Sequence, residues 1–163
     1  MSELLDKISS YNLFNYLFPG VIFAFAASKL THYSFLEKEV LVAAFVYYFI
    51  GMVISRVGSL LIEPALKYSK FIHFVEYKKF VSASKKDPEL ELLSEVNNTF
   101  RTLCALFVSL LVLKAYEKLA QHFPWFESHG LLILSIFLLL MFGFSYRKQT
   151  RYVTKRIQAT DAP

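Results

Sequence analysis

Cysteine is nearly missing from this chain. Cys104 is the one thiol in 163 residues and lies inside an apolar stretch, which excludes an intramolecular disulfide and a cysteine metal cage. Acidic residues are outnumbered, 13 Asp and Glu against 18 Lys and Arg. The four histidines, His32, His73, His122 and His129, are scattered and show no metal-ligand spacing. There is no phosphate-cradling glycine loop, no dinucleotide turn and no GxSxG elbow. No pair of acids recurs at helical spacing within an apolar run. We therefore expect no enzyme activity, no metal and no cofactor. Internal repeats, low-complexity tracts and Gly/Ser linkers are also missing, so one domain is expected across 1–163. The opening MSELLDKISSYN lacks a basic region and a small-residue cleavage site, so no signal peptide is expected and the first span serves for insertion.

What is present is apolar and long. Val40–Ser55, VLVAAFVYYFIGMVIS, has sixteen residues without a charge. Tyr11–Ser28 has eighteen and Gly130–Tyr146 seventeen. A bilayer core about 30 Å thick takes roughly 20 such residues in one helix. A fourth stretch is shorter: only the twelve residues Thr102–Leu113 are uncharged, with Arg101 and Lys114 able to snorkel outward on their methylene stems. The expected fold is all-α and polytopic, with four spans at about 11–33, 39–62, 99–118 and 129–146, and a short basic helical segment at 63–98.

The basic residues set the orientation. Four (Lys29, Lys38, Lys114, Lys118) fall between spans one and two or three and four, and fourteen of the 18 fall on the other side. Basic residues accumulate in the cytoplasm, so both termini and 63–98 are expected on the cytoplasmic side of the membrane. Trp125 and its neighbouring phenylalanines in HFPWF suit the opposite lipid interface, and Pro124 ends the third helix. Asp87-Pro88-Glu89 reads as a helix start that makes the third span a stalk from Pro88 to about Lys118.

Polar residues within the spans are the candidate pore or cavity set: Asn12, Asn15, Ser55, Arg56 and Ser59. Pro19 has no N–H, so the Asn15 carbonyl loses its usual helical partner. The same residues also suit a span end near headgroups, where Asn is cheap. Gly51, Ser55 and Ser59 recur every four residues, a stripe that lets helices approach closely; alternatively its hydroxyls line an ion path. Arg56 either pairs with an acid such as Glu63 or Glu95, reaches headgroup phosphates, or forms a positive ring in an oligomer.

The candidate anion-binding set is basic and cytoplasmic: Lys67, Lys70, Lys78, Lys79, Lys85 and Lys86, with Arg147, Lys148 and Arg151 from the tail. On a helix from about Ala65 to Lys86, Lys67, Lys78 and Lys85 fall within roughly 20° of one another, with Phe71 and Phe74 between them. Such interleaving can grip phosphates and stack bases. The same charges also follow from positive-inside bias and attraction to anionic lipid.

The opening YNLFNYLFPGVIF resembles the start of small bacterial inner-membrane proteins. The plan of four spans around a short basic cytoplasmic segment is similar to membrane effectors of bacterial anti-phage systems, namely the channel subunit of the Hailong system and, second, the membrane subunit of Kiwa. The Hailong-type resemblance implies an oligomeric ion channel, controlled by a nucleotide-derived ligand from a partner enzyme and acting by depolarisation. The Kiwa-type resemblance implies a sensor that holds a soluble cytoplasmic effector. The similarity covers the architecture and that opening motif, and it carries over no functional residue. Four spans are too few to enclose a pore alone, so the expected partners are further copies of the chain (as a tetramer), anionic lipid, a nucleotide or oligonucleotide, and a cytoplasmic protein. The leading expectation is a channel gated from the cytoplasm in anti-phage defence; the alternative is a non-conducting scaffold or sensor.

Overall fold

A computed structural model describes residues 13–160. It is helical throughout, with no strand among the described residues. Six helices follow in order: α1 (Leu13–Leu30), α2 (Val40–Tyr68), α3 (Tyr77–Ser84), α4 (Glu89–His122), α5 (Pro124–Ser128) and α6 (Gly130–Thr160).

Three of them, α1, α2 and α6, are long and apolar enough to cross a membrane. The expectation of four such helices is corrected to three. The segment expected as the third span does lie on one helix, the 34-residue α4, but that helix falls short on apolarity. Arg101, Lys114, Glu117 and Lys118 all fall within 99–118.

Both ends of α4 are where the punctuation puts them. Asp87 Oδ1 accepts the Glu89 N–H at 3.0 Å, and the helix stops at His122 before Pro124 opens α5.

Two π-helical turns, Leu13–Leu17 in α1 and Gly58–Ile62 in α2, each end two residues before a proline, Pro19 and Pro64. Proline cannot supply the ordinary i→i−4 donor, and the wider turn reroutes the ladder: the Glu63 N–H reaches back five residues to the Gly58 carbonyl.

α1 and α2 touch main chain to main chain. A Cβ on Gly20 would stand 1.8 Å from the Tyr47 carbonyl oxygen, and one on Gly51 would stand 1.7 Å from that of Tyr16. No side chain fits at either position. α4 packs across this hairpin through a core of Phe23, Ala27, Ile54, Ala105, Leu106 and Leu110. α6 lies against the end of α2 and against α3, with Met141 its buried apolar side chain and most of its leucines exposed.

The continuous helix expected over 65–86 does not form. α2 ends at Tyr68, Lys70 takes a positive φ of 59°, and α3 starts only at Tyr77. The Phe71 N–H bonds the Leu66 carbonyl (3.0 Å) and the Lys70 N–H bonds the Lys67 carbonyl (3.1 Å). That is a Schellman closure, with lysine where glycine is usual. Lys67, Lys78 and Lys85 therefore do not share one helical face.

Candidate functional site

The polar residues converge at the α2 end that carries Glu63. From Gly51 the four-residue stripe runs on through Ser55 and Ser59 to Glu63, and all four are buried. A straight helix drifts about 40° per four-residue step, so the stripe would leave the interface within three steps. The π turn at Gly58–Ile62 falls within the last of them, and Glu63 still ends up inside.

Glu63 is 6% exposed and meets cations from three helices. Lys67 of its own helix lies at 2.8 Å, Arg101 of α4 at 2.8 Å and Lys148 of α6 at 3.8 Å. Lys148 also donates to the Ser59 carbonyl (2.6 Å) and to Ser59 Oγ (2.8 Å). Lys67 is further held over the Phe74 ring, 4.0 Å from its centroid. Arg56 makes no ion pair among the described residues. Three cations around one carboxylate leave a local excess of two positive charges.

Glu63 thus pairs with Arg101 and not with Arg56, against one of the expectations for Arg56. Sequence reasoning singled out neither Glu63 nor Arg101 as a site residue. The signal was the continuation of the Gly51–Ser55–Ser59 stripe by one more step of four.

One level deeper, Thr102, Ser55 and Asn15 meet at the junction of α1, α2 and α4. The Thr102 hydroxyl donates to the Asn98 carbonyl at 2.9 Å. It stands 3.4 Å from Ser55 Oγ and 3.5 Å from Asn15 Oδ1, both long for a hydroxyl bond. Asn15 Nδ2 and Arg101 Nε are buried and have no partner among the described residues. Asn12 lies outside the described residues.

The remaining expected anion-binding residues are spread out. Lys70 occupies the turn after α2, while Lys78 and Lys79 are exposed on α3, with Lys79 3.9 Å from Glu76. Lys85 and Lys86 follow α3, exposed. α3 is docked by buried Val81 and by the Tyr77–Tyr152 ring contact at 6.2 Å, so its lysines face solvent. Arg147 and Arg151 are exposed one turn apart on α6.

A second ionic knot sits at the far end of α4. Buried Glu117 pairs with Lys114 and accepts the His32 backbone N–H at 2.5 Å, which ties the α1–α2 connection to α4. Around it, Tyr116 donates to the Phe126 carbonyl at 2.8 Å, and Trp125 stacks on His129 at 4.6 Å.

Chemically, the arrangement can hold an anion or switch which helix a buried carboxylate grips. Comparison with protein-family models, curated proteins and solved structures finds no match.

Proposed function

We propose that this chain is a four-span membrane protein whose copies assemble into an ion channel, and that the Glu63 cluster is its cytoplasmic latch. Crossing by α4 is supported by its packing against α1 and α2 and by how its charges are handled. Arg101 is neutralised by Glu63 at one end, and Lys114 and Glu117 pair at the other. Those knots stand about 20 Å apart along the helix axis, within the roughly 30 Å of a hydrocarbon core. With the basic excess inside, both termini and 63–98 face the cytoplasm of a bacterial inner membrane.

One observation carries the gating reading: a single buried carboxylate joins α2, α4 and α6. An anion that competes with Glu63 for Lys148 loosens α6 from α2. A ligand shifts such an equilibrium only through unequal affinity for the two states, and the two uncompensated positive charges supply that inequality for a nucleotide-type anion. Opening depolarises the cell, an effector role in anti-phage defence. The test is ion flux through purified protein in liposomes, with the oligomer mass measured alongside. The expected result is a mass that is a multiple of 18.9 kDa and a flux that rises in Lys148→Gln. Silence of both proteins in an oligomeric, correctly folded sample overturns conduction. Tags at either end that react from outside intact cells overturn the topology.

A second reading, a non-conducting scaffold that recruits a cytoplasmic protein, is favoured by one feature. The turn after α2 exposes Tyr68, Phe71, Phe74 and Val75, an apolar patch on the same cytoplasmic segment. Its signature is a silent oligomer that captures a soluble partner and loses it on Phe71→Ser.

A further inference from the structure

Between the second half of α2 and α6 runs a groove of about 610 Å³. Its walls are apolar: Leu60 and Leu61 from α2, and Phe137, Leu140, Met141 and Phe144 from α6. One end is different. Arg147, Lys148 and Arg151 close it, and no acidic side chain lines it. Lys148 is already engaged by Ser59 and Glu63. Arg147 and Arg151 are exposed and make no ion pair among the described residues. Two guanidinium groups one helical turn apart present planar forks suited to phosphate oxygens.

We infer that this groove is a binding site for one anionic phospholipid of the cytoplasmic leaflet, with its phosphate on Arg147 and Arg151 and an acyl chain along Phe137–Phe144. The dimensions fit. From Phe137 to Arg147 the helix rises about 15 Å, half the thickness of a typical hydrocarbon core. The volume falls within the range of roughly 300–1,000 Å³ usual for ligand pockets. The polarity fits too, since the basic end follows directly on the uncharged run Gly130–Tyr146 and the apolar end lies within that run. A soluble nucleotide would leave the apolar wall, most of the groove, unused. The site rests on the membrane-spanning reading but not on conduction.

The test starts from full-length protein extracted from bacterial membranes in mild detergent, with phospholipid quantified by mass spectrometry. Recovery of the protein from the soluble fraction overturns the spanning reading itself. Recovery from membranes with about one anionic phospholipid per protomer, enriched over zwitterionic lipid, supports the site. Arg147→Gln/Arg151→Gln loses that enrichment, with affinity for anionic lipid falling roughly 30-fold at about 1 kcal/mol per cation, while Lys86→Gln retains it. Millimolar inorganic phosphate leaves the lipid bound; displacement by it would identify a soluble-anion site and overturn the lipid assignment. A second readout spares the cations. In Trp125→Phe/Leu140→Trp, the groove tryptophan is quenched several-fold more by a brominated anionic phospholipid than by a brominated zwitterionic one at equal mole fraction. Equal quenching, or equal retention of both lipid classes, overturns the inference.

Discussion

Replacing Glu63 with glutamine keeps the shape of the side chain and removes the charge that three helices share. Breaking a buried pair by deleting one partner costs about 3–5 kcal/mol when both groups are fully desolvated. Here the partners differ. The Lys67 side chain is 42% exposed and one turn away, so its share is about 0.3–0.5 kcal/mol. Lys148 keeps both bonds to Ser59. Arg101 is the group left stranded: its side chain is 21% exposed, its Nε is already without a partner, and Glu63 is its sole carboxylate among the described residues. The loss is therefore close to that of one charged hydrogen bond in a half-dry site, about 2–3 kcal/mol. For a chain of this size that lowers the midpoint of thermal unfolding by about 4–12 °C. The assay is thermal challenge of the detergent-purified protein, followed by size exclusion. Adding Arg101→Met should recover much of the loss, because the stranded cation is gone. The reasoning is refuted by an unchanged midpoint in Glu63→Gln, or by a double variant whose loss equals the sum of the single losses to within about 0.5 kcal/mol.

Gly51→Ala places a methyl 1.7 Å from the Tyr16 carbonyl oxygen, and neither backbone can yield. The helix pair must separate, at a cost at or above the upper end of about 1–3 kcal/mol for overpacking, read as loss of monodisperse protein. Lys70→Gly relieves a left-handed residue and raises the melting midpoint, by up to about 1 kcal/mol of stability, whereas Lys70→Ala brings no gain. Glu117→Gln weakens the tie to the His32 backbone N–H and makes the connection between α1 and α2 more open to protease, with no change near Glu63.

Much of the architecture was legible because lipid-length apolar runs leave few alternatives. α1, α2 and α6 follow from their uncharged stretches, the start of α4 from Asp87-Pro88-Glu89, and close helix contact from the Gly51 stripe. What escaped was decided by contacts between distant residues. Arg56 and Arg101 look alike on paper, and only the docking of α4 chooses which of them meets Glu63. Pro19 announced an interrupted ladder at Asn15, yet the outcome, a π turn repeated before Pro64, also depends on which residues face inward. No glycine or proline marks the break at Lys70; a lysine took the left-handed position that glycine normally supplies. The candidate site was half legible. Ser59 and Lys148, read as members of two separate sets, meet each other, whereas Lys78, Lys79, Lys85 and Lys86 stand apart from them in solvent.

The length of α6 has a mechanical consequence. Its 31 residues extend about 46 Å, some 16 Å beyond what the hydrocarbon core requires. The α1–α2 pair is fused by its backbone contacts and offers no freedom to slide, so compliance is left to this long, lightly anchored rod. Pivoting by about 10° about its Gly130 end sweeps the Thr160 tip by about 8 Å, a displacement large enough to be felt by whatever rests against it.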